Sequence, residues 1–194
     1  MSSSKTKKTP NFQRKMAIMQ LAAEWRERLT PKNKPLHGEE ILDTLVDLIP
    51  SFDWFVGNEF FEGMNDVIAY AKFNNGRQIF LKEEVYEALK TPGTEKYKRA
   101  LFVVAHEIGH VLLHHRTRKS FARNKLGSVE NYRVEATKEI EANIFAGSLI
   151  VPTDTIDPDI SEYTISKVFD ASYKVSAVCR KEARLYQAWQ KGRK

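Results

Sequence analysis

Residues 100–113 (ALFVVAHEIGHVLL) constrain this chain more than any other stretch, because they are apolar nearly all round at helical spacing yet carry two histidines and a glutamate. A helix that is apolar on every face belongs in a core. Ionisable groups placed on such a helix are costly to desolvate unless they are paired or bind a metal. The fold is therefore expected to wrap around this helix, and His106, Glu107 and His110 are expected to have partners.

His106-Glu107-Ile108-Gly109-His110 is an HExxH motif. Residues four apart on an α-helix project from one face, so the two imidazoles can reach one ion, while Glu107 is rotated about 100° toward an open coordination position. That arrangement suits one zinc ion per chain, with manganese or another divalent ion as the alternative. A metal acidifies water, and an adjacent carboxylate takes up the remaining proton as the water attacks a carbonyl. Glu107 is the candidate catalytic base.

A catalytic zinc site takes a third protein ligand and keeps its fourth position open. The candidates are Glu135, Glu139 and Glu141, on a helix expected over 134–150. Helical projection puts Glu141 on the face of Ile144, Phe145, Ser148 and Leu149, the face expected to pack inward. Glu139 aligns with Ala142, Asn143 and Ala146, and Glu135 with Lys138 and Glu139, so both read as more solvated. Glu141 is the expected ligand. His114 is the rival, but a straight helix separates it from His106 by about 12 Å, too far for both to hold one ion. His114 and His115 are expected behind the ligands or at the surface. Tyr132, Arg133 and Tyr163 are candidate donors to a developing oxyanion.

Helices are expected over 13–29, 39–49, 83–89, 95–115, 134–150, 161–169 and 174–190. Residues 67–82 read as a hairpin: Val67, Ala69, Ala71 and Phe73 alternate with more polar neighbours, and Asn75-Gly76 supplies the turn. An exposed edge, 66–73 or 78–81, would suit addition of an extended peptide. Residues 116–132 read as a polar, basic surface loop, and 153–160 as a connector.

The 194 residues, 42% hydrophobic and 29% charged, suit one globular domain with a small helical appendage. The divisions expected are a flexible basic arm (1–12), a zinc peptidase domain (13–152) and a helical module (153–194). No apolar run is long enough to span a bilayer. The single cysteine, Cys179, gives no internal disulfide, and the expected location is the cytoplasm. The net charge of +6 is concentrated in Lys5 to Lys8 and Arg180 to Lys194, a distribution that permits nucleic-acid binding without favouring it.

Three blocks resemble the ImmA/IrrE-type metallopeptidases: FVVAHEIGHVLLHH (102–115), EIEANIFAGSLIVP (139–152) and ISKVFDASYKVSAVCRKEARL (165–185). They occur in that family's order. The resemblance implies an α+β fold, with helices around a small antiparallel sheet, a thermolysin-like zinc peptidase core and a C-terminal helix-turn-helix-like module. It implies that the glutamate before Ala-Asn, Glu141, completes the zinc site. It also implies a protein substrate, a cytoplasmic helix-turn-helix repressor, and an anti-repressor role in stress-response or mobile-element genes. Gly147 and Ser148 depart from the larger residues frequent in that block. The rival readings are a DNA-binding regulator with a structural metal, using Lys174, Arg180, Lys181 and Arg184, and a protein that sequesters a repressor or acts as a toxin-antitoxin partner without cleaving.

Overall fold

The computed structural model describes residues 10–31, 34–64, 66–73, 76–115 and 129–193, with backbone alone over 129–135. Among these, ten elements follow in order: α1 (Phe12–Leu29), α2 (Gly38–Leu48), β1 (Phe52–Val56), β2 (Ala69–Lys72), β3 (Arg77–Leu81), α3 (Glu83–Leu89), α4 (Glu95–Leu112), α5 (Val129–Ile150), α6 (Glu162–Val168) and α7 (Tyr173–Lys191). A 3-10 turn, Asn58–Phe61, lies between β1 and β2. The fold is α+β. No helix among the described residues is long and apolar enough to cross a membrane.

The expected hairpin forms, with β2 antiparallel to β3 and Ala71 opposite Ile79. The sheet as a whole is mixed, however, because β1 adds to the far side of β3 in parallel, giving the order β1-β3-β2. Sequence reading passed over β1, since Phe52-Asp53-Trp54-Phe55-Val56 places aromatic rings on both faces and blurs the two-residue alternation of a half-buried strand. Gly76 turns the hairpin at φ 127, and a Cβ there would collide with the Ser51 carbonyl. Ala69, Ala71, Ile79 and Leu81 face the core. On the other face Phe80 stacks between Tyr70 and Phe55, with ring centroids 4.8 and 5.1 Å away.

Helix α4 lies against β2 on one side and α5 on the other, and Leu101, Val104, Ala105, Ile108 and Val111 are sealed in the core. The two helices meet at Gly109, where an added Cβ would come within 3.2 Å of the Ala142 Cα and carbonyl oxygen. A side chain there would push the two backbones apart by a few tenths of an ångström. α4 ends three residues earlier than the sequence suggests. His114 adopts the left-handed region (φ 54), and the His115 N–H reaches back 3.0 Å to the His110 carbonyl, while the His114 N–H reaches the Val111 carbonyl. These are the two hydrogen bonds of a Schellman cap. The chain reverses, and His115 is brought behind His110.

α1 runs along α5 and contributes a buried cation, Arg26. Its guanidinium donates to the carbonyls of Leu149 (2.5 Å), Ile150 (2.8 Å) and Lys34. The first two are carbonyls of the final turn of α5, which lack helical partners and carry the negative end of the helix dipole. Burial pulls the Arg26 pKa down to about 10. α6 and α7 add Ile165, Phe169, Cys179 and Ala183 to the main core, and Tyr186 packs with Met16 and Met19 of α1. Gly147 of α5 lies under Cys179, where an added Cβ would stand 3.1 Å from Sγ, so the small residue noted in the sequence is what lets α7 close on α5.

Replacing Arg26 with Met keeps the stem and strips the two buried carbonyls of Leu149 and Ile150, and the part-buried carbonyl of Lys34, of their donor. The expected loss is roughly 3 kcal/mol, which a thermal melt would register as a midpoint drop of about 6–12 °C for a chain of this size.

Candidate metal and catalytic site

The two imidazoles of the motif converge as their spacing requires: His106 Nε2 and His110 Nε2 are 3.0 Å apart. A carboxylate from α5 closes the group. Glu139 Oε2 lies 3.2 Å from His106 Nε2, and Glu139 Oε1 lies 3.4 Å from His110 Nε2. The ligand atoms of His106, His110 and Glu139 all fall within 4.8 Å of one another. Two atoms each about 2.0–2.1 Å from a tetrahedral ion sit about 3.3–3.4 Å apart, so this spacing fits a single small cation.

The donor chemistry fits as well. His106 Nδ1 is 3.1 Å from Asn143 Oδ1, an amide oxygen that can only accept, so Nδ1 carries a proton and anchors the ring. Asn143 sits one turn beyond Glu139 on α5. This is the outer contact that ordinarily orients a metal-binding histidine and fixes its tautomer. Nitrogen and oxygen acceptors crowded this closely repel unless positive charge, a proton or a metal ion, lies among them.

Glu141, the carboxylate expected from sequence, is not brought to that point. Its oxygens accept from Arg14 Nε (3.1 Å) and Arg14 Nη2 (2.7 Å), and Oε2 also lies 3.0 Å from His115 Nε2. The projection of α5 reads both side chains correctly: Glu141 is 10% exposed and Glu139 is 53% exposed. The imidazole Nε2 atoms, however, face the solvent edge of the α4–α5 seam. The inward carboxylate thus lies behind the histidines and the outward one lies in front.

Glu107 is buried against β2 and accepts a hydrogen bond from the Ala71 backbone N–H. His114 is exposed at the end of α4. Tyr163 is exposed on α6 with Lys167 over its ring, and α6 meets α4 at Lys98–Ser166, about 12 Å of helical rise before His106. Tyr132 and Arg133 lie outside the described side chains, as does most of the expected basic loop.

Electrostatics separate these groups. Burial raises the Glu107 carboxyl above its ordinary range, against the pull of the two imidazoles; a base so tuned is better matched to neutral pH. Hydrogen bonds from His106 and His110 hold Glu139 far below the usual carboxylate range. Burial works to lower His106, but Glu139 and Glu107 outweigh it and the net shift is upward. Burial dominates at His115, pulling it down to about 4 in spite of Glu141. Glu141 is lowered, because Arg14 and His115 overcome its own desolvation.

The sequence offers Glu139 as a candidate but favours Glu141 over it, and expects His115 behind the ligands or at the surface; it gives no role to Asn143 or Arg14, which the structure adds. One signal was available. Glu139 and Asn143 stand four apart on a single helical face, the same spacing as His106 and His110, which suits two helices facing each other across one site. Nothing local marks Arg14, which is 127 residues from Glu141.

Two facing helices, one carrying HExxH and the other a carboxylate and an amide, thus bring together three side chains that could hold a metal ion. Residues 95–179 match the Peptidase_M78 family model, described as an IrrE N-terminal-like domain, and the resemblance to ImmA/IrrE-type metallopeptidases holds over that stretch. No curated protein matches the chain.

Asn143→Ala should leave the fold intact and weaken zinc binding by about 10–100-fold through loss of the His106 anchor. Chelator competition on the purified protein measures this directly, with circular dichroism as the check on folding.

Proposed function

We propose that this chain is a zinc-dependent endopeptidase in which His106, His110 and Glu139 hold the ion and Glu107 is the catalytic base. The observation that carries the reading is the meeting of His106 Nε2, His110 Nε2 and the Glu139 carboxylate at 3.0–3.4 Å. When bound, zinc supplies Lewis acidity that acidifies water and polarises a scissile carbonyl. Glu107 takes a proton from the attacking water on its carboxylate and delivers it to the departing amine nitrogen. The Ala71 N–H keeps that carboxylate in place, and β2, the sheet edge beside α4, is the strand against which an extended peptide would lie. β3 is central and offers no free edge.

A helix-turn-helix repressor as substrate, and an anti-repressor role, rest on the family resemblance. Two of the cations that a DNA-reading α7 would need are engaged elsewhere: Arg180 pairs with Glu162 and Arg184 with Asp159, each at 2.9 Å. That disfavours major-groove docking by this helix.

The test is incubation of metal-analysed protein with the repressor encoded beside it, following products by mass. Glu107→Gln should abolish cleavage and retain zinc; preserved turnover would remove the base. Glu139→Gln should lose zinc by more than the roughly 10–100-fold typical of an outer partner. Stoichiometric repressor inhibition that survives Glu107→Gln would instead favour sequestration.

A further inference from the structure

Behind His110 runs a chain of polar contacts that the peptidase chemistry does not use. Arg14, in the first turn of α1, grips Glu141 with two nitrogens. Glu141 Oε2 lies 3.0 Å from His115 Nε2, and His115 Nδ1 lies 3.2 Å from His110 Nδ1. Glu141 and His115 are both buried, and His110 turns Nε2 to Glu139 and His106 and Nδ1 to His115.

The donor and acceptor roles along this chain are forced from one end. Arginine has only donors, so the carboxylate it grips is ionised and can only accept. His115 Nε2 must therefore carry a proton. Each ring nitrogen of His115 has one partner, Glu141 at 3.0 Å and His110 at 3.2 Å; a neutral imidazole has one N–H, and with that proton on Nε2 the Nδ1 atom is an acceptor. His110 Nδ1 must then donate to it, which leaves the lone pair of His110 on Nε2, the nitrogen that faces His106 and Glu139.

We propose that Arg14, Glu141 and His115 are positioning residues that lock His110 in its Nδ1–H tautomer and hold its Nε2 free for the metal. The inference rests on the reading of His106, His110 and Glu139 as a metal site. It gives Glu141 a function other than ligation, and it makes the first turn of α1 part of the site. It also explains why α4 stops where it does: the left-handed turn at His114 is what swings His115 onto His110.

Two measurements on the full chain test the lock. In the metal-free protein, long-range proton–nitrogen NMR of the histidine rings should find His110 protonated on Nδ1; a proton on Nε2 would overturn the proposal without any variant. Zinc competition then separates positioning from ligation. Glu141→Gln keeps an oxygen able to accept from His115, with the half-exposed Arg14 free to swing aside, and should lose less than the roughly 10-fold at the lower end of the range for an outer partner. Glu141→Leu removes the acceptor and should weaken zinc by about 10–100-fold. Equal losses in the two variants would sink the lock and point to Glu141 as a ligand. Glu139→Gln is the reference: unchanged zinc affinity there would refute the metal-site reading itself, whatever the His110 tautomer proves to be.

Discussion

The close approach of α4 and α5 at Gly109 and Ala142 governs the rest of this structure. Backbones this close bring the HExxH face of one helix onto the Glu139–Asn143 face of the other. A methyl group at 109 would force the helices a few tenths of an ångström apart, and a bulkier side chain further. The sheet behind α4, the Arg26 cap on the end of α5 and the small-residue contact of α5 with α7 all hold these two helices in register. Arg26 does so with one side chain, which donates to the terminal carbonyls of α5 and to the Lys34 carbonyl together.

Polarity is layered across the seam between α4 and α5. In front, toward solvent, stand His106, the Nε2 edge of His110 and Glu139. Behind, toward α1, stand His115, Glu141 and Arg14. Each layer pairs an imidazole with a carboxylate, and the second layer ends in a cation that lets a buried carboxylate stay ionised. Glu107 occupies a third environment, against β2, where burial rather than pairing sets its proton affinity. Three glutamates set around three histidines thus have three distinct characters, fixed by what surrounds them.

Much of the fold was legible in advance. The helix over 83–89 and the boundaries of α1, α6 and α7 follow from caps, prolines and 3.6-residue periodicity, because these signals are local. β1 was not legible, since its aromatic content on both faces hides its alternation, and its parallel pairing with β3 depends on a crossover that no local pattern encodes. The end of α4 was misread for a similar reason: a left-handed histidine replaces the usual glycine, so the stop carries no ordinary marker.

For the site, HExxH singled out two imidazoles and a glutamate because residues three and four apart on a helix are neighbours by geometry alone. The sequence by itself determined that pair, the buried helix that bears it, and the inward and outward sides of α5. It did not determine which side of α5 the imidazole nitrogens face. That choice belongs to the crossing of two helices and to the rotation of each about its own axis, quantities set by long-range packing at Gly109, under Cys179 and against α1. Glu139 before the histidines and Glu141 behind them is therefore a tertiary outcome.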